Sequence, residues 1–225
     1  MEAIGENIWL QKHSFSTFGM QMGRNVVPIR LSSGKLIIHS TAPFSEEEAE
    51  EIRTIGEPGW ILDPTNFHDT YAVRGAAAFP EIPFLAPEGF PAARKAKAQS
   101  LAITPAEWDG EIDVIPILGM PMTNEHVFFH PDSKTLIVAD LLFNLPSDLD
   151  GFTRTSVKLI SGIREYPGNS RMFRLMIRDR EAFEASLQQI LSLDFSRVIV
   201  GHGLPVETEA KTRMRKIFAN FGYAV

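Results

Sequence analysis

Four ionisable side chains stand where apolar runs end. Thr135-Leu-Ile-Val-Ala-Asp140-Leu-Leu-Phe143 sets one carboxylate inside an otherwise apolar stretch. Such Leu/Ile/Val-rich runs read as strands buried on both faces, and a charge there must be paired, hydrogen-bonded or bound to a metal. Arg197-Val-Ile-Val-Gly-His202-Gly203 has the same form, with one imidazole between two glycines. His39 closes the run Lys35-Leu-Ile-Ile-His39, and His68 lies in Thr65-Asn-Phe-His-Asp-Thr-Tyr71, a loop after the apolar run Trp60-Ile-Leu-Asp-Pro64. Imidazole nitrogens and carboxylate oxygens suit zinc, manganese or iron(II). In layered α/β proteins, strand ends on one edge are where sites gather. A lone strand-end histidine is more often a hydrogen-bonded structural residue, so the chemical reading requires these four to converge.

The elements that must position them read as follows. Strands are predicted over 8–13, 26–32 and 35–41, the last two joined by a turn at Ser32-Ser33-Gly34. Ser45 and Glu48 form a capping box that opens a helix over 46–55. A strand at 60–64 and the His68 loop follow, then a helix over 72–79 and a strand at 83–86. Pro87, Gly89, Pro91, Pro105 and Gly110 make 87–110 irregular, with a short helix at 91–99. Strands resume at 113–118, and Glu125–His130 and Thr135–Ala139 form a hairpin about Pro131–Lys134. Helices are expected at 151–163, 172–178, 180–193 and 207–220. Asp179 caps the third of these, and its Phe183, Leu187, Ile190 and Leu191 share one face. The fourth places Met214, Ile217, Phe218 and Phe221 on one face. Strands come in two blocks, each followed by helices. That order favours an αββα sandwich of two mixed sheets with helices outside, forming a single domain over 1–225.

Composition narrows the function. The 225 residues are 44% hydrophobic and 22% charged, with a net charge of −6. The acidic balance argues against nucleic acid as a partner. Arg94, Lys95 and Lys97 read as a solvated helix face. No apolar run reaches the length of a membrane span, and the N-terminal residues lack the pattern of a signal peptide. With no cysteine, disulfides, thiolate ligands and a cysteine nucleophile are excluded, which suits a cytoplasmic protein. Phosphate-binding glycine loops, a G-x-S-x-G elbow and an H-E-x-x-H helix are all missing. The expected partner is a small-molecule substrate or ligand, and the oligomeric state stays open.

Read together, Glu6-Asn-Ile-Trp-Leu10, Leu36-Ile-Ile-His-Ser-Thr41, Thr65-Asn-Phe-His68, Asn124-Glu-His-Val-Phe-Phe-His130, Thr135–Phe143 and Val198-Ile-Val-Gly-His-Gly203 resemble the metallo-β-lactamase superfamily. The resemblance runs from the first strand to the last helix. It implies that Asp140 corresponds to the family's metal-bridging aspartate and His202 to its last metal-binding histidine. The family's His-x-His-x-Asp-His loop is degenerate here. His68 is retained, while Asn66, Thr70 and Tyr71 occupy the other ligand positions, and Met120 stands where a further ligand histidine is expected. An alternative register would let Asp69 or His126 serve, although the match at Thr65 argues against it. The resemblance thus implies a hydrolase-like protein with at most one zinc, manganese or iron(II) ion on His68, Asp140 and His202. Without a metal, His39 would act as acid or base near Asp140 and Tyr71 would donate a hydrogen bond to a substrate, with Asn66 as a further catalytic candidate. The competing readings are a ligand-binding or regulatory protein that keeps the fold and binds no metal, and a metal-free enzyme or small-molecule sensor using the same cleft.

Overall fold

The computed structural model describes residues 1–225. In chain order the elements are β1 (Glu2–Gly5), β2 (Ile8–His13), β3 (Ser16–Thr17), β4 (Met20–Gln21), β5 (Arg24–Arg30), β6 (Lys35–His39), α1 (Glu46–Ile55), β7 (Glu57–Leu62), α2 (Ala72–Ala78), β8 (Phe84–Ala86), α3 (Ala93–Ala96) and β9 (Gln99–Ser100). They continue with β10 (Asp113–Pro116), β11 (His126–His130), β12 (Thr135–Ile137), α4 (Gly151–Ile160), α5 (Arg171–Leu175), α6 (Arg180–Ser192), β13 (Arg197–Ile199) and α7 (Ala210–Asn220). Two compact units result: Met1–His13 with Asn25–Ile112, and Ser14–Arg24 with Asp113–Val225.

The first unit is built on a seven-stranded mixed sheet in the order β1-β2-β5-β6-β7-β8-β9. β5 and β6 form an antiparallel hairpin, and β6 to β9 run parallel to one another. Leu36 and Ile38 of β6 join Ala49 and Ile52 of α1, Ala72 of α2, Phe79, Phe84 and Phe90 in one buried cluster. α1 follows its sequence signature to the residue: the Ser45 hydroxyl accepts from the Glu48 amide and the Glu48 carboxylate accepts from the Ser45 amide. β7 starts at Glu57, earlier than expected, because Pro58 and Gly59 belong to the strand. A β-carbon at Gly59 would lie 3.3 Å from the Leu36 carbonyl oxygen, so glycine permits a close strand contact there. The predicted helix at 91–99 shrinks to one turn, ended by the left-handed Lys97. Arg94, Lys95 and Lys97 are exposed, as a solvated face requires.

The second unit carries a four-stranded sheet, β10-β11-β12-β13, and a two-stranded ribbon, β3-β4. The hairpins β10-β11-β12 are antiparallel, whereas β12 and β13 are parallel and aligned Leu136 to Val198. α6 packs on β10 and α7 on β13. Phe183, Leu187, Ile190 and Leu191 are buried as predicted, and Phe183 meets Phe218 edge to face. α7 begins three residues later than expected because Val206 is still bridged to Val198 of the sheet. α4 ends at Ile160, where Gly162 takes a positive φ and its amide reaches back to the Val157 carbonyl. No helix is long and apolar enough to cross a membrane.

Candidate metal centre

In the second unit, the parallel pair β12 and β13 delivers Asp140 and His202 to neighbouring strand ends. Val138 donates to the Ile199 carbonyl and Gly201 to that of Ala139, so the two chains remain zipped up to the site. His202 Nε2 lies 3.5 Å from Asp140 Oδ1, and both residues are buried. Asp140 and His202, two of the four strand-end residues, therefore meet within this unit.

The His202 ring is fixed on three sides. It stacks on Phe143 at 5.7 Å and 6° and on Phe15 at 5.3 Å and 27°. Its Nδ1–H donates to the Gly23 carbonyl at 2.5 Å. A carbonyl can only accept, so in the neutral imidazole the proton sits on Nδ1 and the Nε2 lone pair points toward a carboxylate oxygen. Two acceptors facing each other require a proton or a cation between them. The 3.5 Å separation exceeds the ~2.7–2.9 Å of a charge-assisted hydrogen bond.

The turn beyond His202 is equally constrained. Gly203 has φ +106°, and a β-carbon there would fall 2.2 Å from the Asn144 carbonyl oxygen. Gly203→Ala is expected to lower stability by about 2 kcal/mol or more, read as a lowered urea midpoint. An unchanged midpoint would show that the turn tolerates a side chain.

Asp140 is presented by a residue that sequence reading placed only as a strand start. Glu125 is buried, and its carboxylate accepts from the Ala139 amide at 2.8 Å, the Asp140 amide at 3.1 Å and the Leu141 amide at 3.3 Å. These amides leave the sheet ladder, which explains why β12 stops at Ile137. Burial and the adjacent Asp140 carboxylate push Glu125 up to about 8, against the pull of its three amide donors. Glu125 thus positions the Asp140 turn. A sequence signal existed, since a carboxylate stood at the head of an apolar hairpin strand, but nothing local named its partners.

In the first unit, His39 ends β6 and pairs in register with Leu62, the last residue of β7. It therefore stands beside the start of the 63–71 loop. Its Nδ1 lies 3.4 Å from the hydroxyl of Ser40, which is itself buried and left-handed at φ +74°. Asp63 takes the Thr41 amide at 2.9 Å and the Thr41 hydroxyl at 2.8 Å, tying the two strand ends together. His68 is buried, its amide donating to the Thr65 carbonyl at 3.1 Å. Asn66 Nδ2 donates to the Glu88 carbonyl at 3.4 Å. Tyr71 closes a 3-10 turn that begins at Asp69 and leads into α2. Of the residues considered for an alternative register, His126 is pinned by its Nδ1 contact with the Asn124 carbonyl, and burial holds its imidazole below the ordinary range.

No protein-family model matches the chain, and no curated protein matches it. Solved structures do. A metallo-β-lactamase from Pontibacter korlensis is 14% identical, with 97% of each chain covered and a TM-score of 0.61. TMB-1, studied for substrate and inhibitor binding, is 18% identical over 98% of this chain and 97% of its own, at 0.64. The metallo-β-lactamase FIM-1 from Pseudomonas aeruginosa, solved in a mono-zinc form, is 13% identical over 99% and 96%, at 0.63. The chain therefore has the metallo-β-lactamase fold, the αββα sandwich class expected from its order of strands and helices.

Proposed function

We propose that the chain is a metal-dependent, hydrolase-like protein in which His68, Asp140 and His202 hold one divalent ion. The observation that carries this reading is the Asp140–His202 pair, an imidazole nitrogen and a carboxylate oxygen 3.5 Å apart. That spacing is longer than a charge-assisted hydrogen bond and leaves room for a cation between the two groups. Two imidazoles and one carboxylate, all buried, form an open-site donor set for zinc or iron(II), and manganese is also compatible. The Gly23 carbonyl supplies the outer hydrogen bond that ligating histidines ordinarily make.

An ion there would polarise an acyl or phosphoryl oxygen and make water nucleophilic near neutral pH. The chain's own groups would do the rest. His39 is the proposed proton carrier, since histidine exchanges protons near neutrality. Asn66 and Tyr71 would donate hydrogen bonds to the substrate. Esters, thioesters, lactams and phosphodiesters are the substrate classes that fit.

The test is metal content by plasma mass spectrometry on protein prepared without chelator or nickel resin, repeated after incubation with zinc, manganese or iron(II). One equivalent per chain is expected, together with hydrolysis of an ester or phosphodiester that chelator abolishes. No uptake from excess metal would overturn the reading in favour of a ligand-binding protein with Asp140 and His202 as an ion pair.

A further inference from the structure

The second unit holds a cavity of about 430 Å³ formed by the 162–174 segment and α7. That volume falls within the range of small-molecule pockets. Its wall carries three guanidiniums, Arg164, Arg171 and Arg174, against a single carboxylate, Glu165. None of the three arginines takes part in a salt bridge, although Arg53, Arg180 and Arg197 elsewhere all do.

Two polar atoms on this wall lack protein partners. Arg174 sits over Phe221, its guanidinium carbon 3.7 Å from the ring centroid. Its Nε is buried with no acceptor. Loss of solvent draws Arg174 below the ordinary arginine range; Tyr223 pulls the other way and the Arg171 charge adds to the lowering. The structure thus brings two like charges together beside an apolar ring. Asn169 is 5% exposed, and its Nδ2 donates to the Leu141 carbonyl, which fixes the amide orientation. The remaining Oδ1 is buried without a donor. A buried polar group left in this state is costly, and such groups are expected to meet a ligand or water.

We propose that this cavity binds a phosphate monoester, with the phosphate on Arg171 and Arg174. Planar guanidiniums suit a phosphate in paired hydrogen bonds, and a cavity of this size takes more than the phosphate alone. The site stands apart from the metal reading and needs no ion. It is nonetheless tied to the Asp140 segment, since Gly168 and Phe143 exchange both backbone hydrogen bonds and Asn169 holds Leu141. Leu159 and Leu175, each 80% exposed on the flanking helices α4 and α5, make a lipid headgroup as eligible a source as a free metabolite.

Isothermal titration with glycerol 3-phosphate, beside flotation with vesicles containing phosphatidic acid, reads both sources. Saturable binding with a Kd of about 1 mM or tighter is expected in one arm at least. Arg174→Met keeps the packing on Phe221 and is expected to weaken that binding tenfold or more, while Arg174→Lys recovers part of it. Binding of free glycerol 3-phosphate assigns a metabolite, and binding of vesicles alone assigns a lipid headgroup. Absence of binding in both arms, or equal affinity in Arg174→Met, overturns the proposal.

Discussion

His202→Ala is expected to abolish metal uptake while the chain stays folded by far-ultraviolet circular dichroism. Removing a mere outer hydrogen-bond partner of a ligand costs about 10–100-fold in affinity, so loss of the ligand itself is expected to exceed 100-fold. The variant also gives up ring stacking on Phe15 and Phe143 and the bond to Gly23, which lowers stability independently of metal. Asp140→Asn separates the two effects. It keeps the side-chain volume and the Glu125-bound turn but removes the charge. In wild-type protein, metal at a hundredfold excess over its Kd should add about 2.7 kcal/mol to unfolding. In Asp140→Asn and His202→Ala that increment should vanish. If zinc raises the melting temperature of all three proteins equally, the ion sits elsewhere and the His68–Asp140–His202 assignment fails.

Glu125→Ala should produce the largest loss of stability of any single substitution at the site. It strips acceptors from three amides, those of Ala139, Asp140 and Leu141, in a buried turn. An unmet buried donor costs about 1–3 kcal/mol, so the loss is expected to be about 3 kcal/mol or more. Glu125→Gln is the informative companion. One oxygen already accepts from both Ala139 and Leu141, and the amide oxygen of Gln can take over that role. Its NH2 would then face the Asp140 amide, donor against donor. Denaturant midpoints should rank wild type above Glu125→Gln above Glu125→Ala. Metal affinity should follow the same order, because the turn aims Asp140. A Glu125→Ala protein as stable as wild type would mean that water replaces the carboxylate and that Glu125 positions nothing.

These two substitutions also mark how far the sequence could be read. Asp140 and His202 were legible because their own runs betray them: an ionisable residue in an apolar strand announces that it needs a partner. Glu125 did not, since its partners are amides 14 to 16 residues away that carry no side-chain signature. The helix over 46–55 was legible to both ends because the capping box is written into adjacent residues. Boundaries set by tertiary contacts were not. β7 runs through Pro58 and Gly59 because β6 lies against it, and α7 starts late because Val206 is held by Val198. The aromatic sandwich on His202 was equally out of reach, since Phe15 and Phe143 look like ordinary core residues until the chain closes.

That closure bears on folding order. The carbonyl that orients His202 belongs to Gly23, 179 residues earlier in the chain, and Phe15 comes from the same early segment. A further 179 residues must therefore be synthesised after Gly23 before the imidazole that it supports exists. Contacts of such long separation form late, because the entropy of closing the loop must be met first. Before that step His202 would be a mobile, solvated side chain. If His202 is a metal ligand, its affinity for the ion would then depend on this long-range contact having formed.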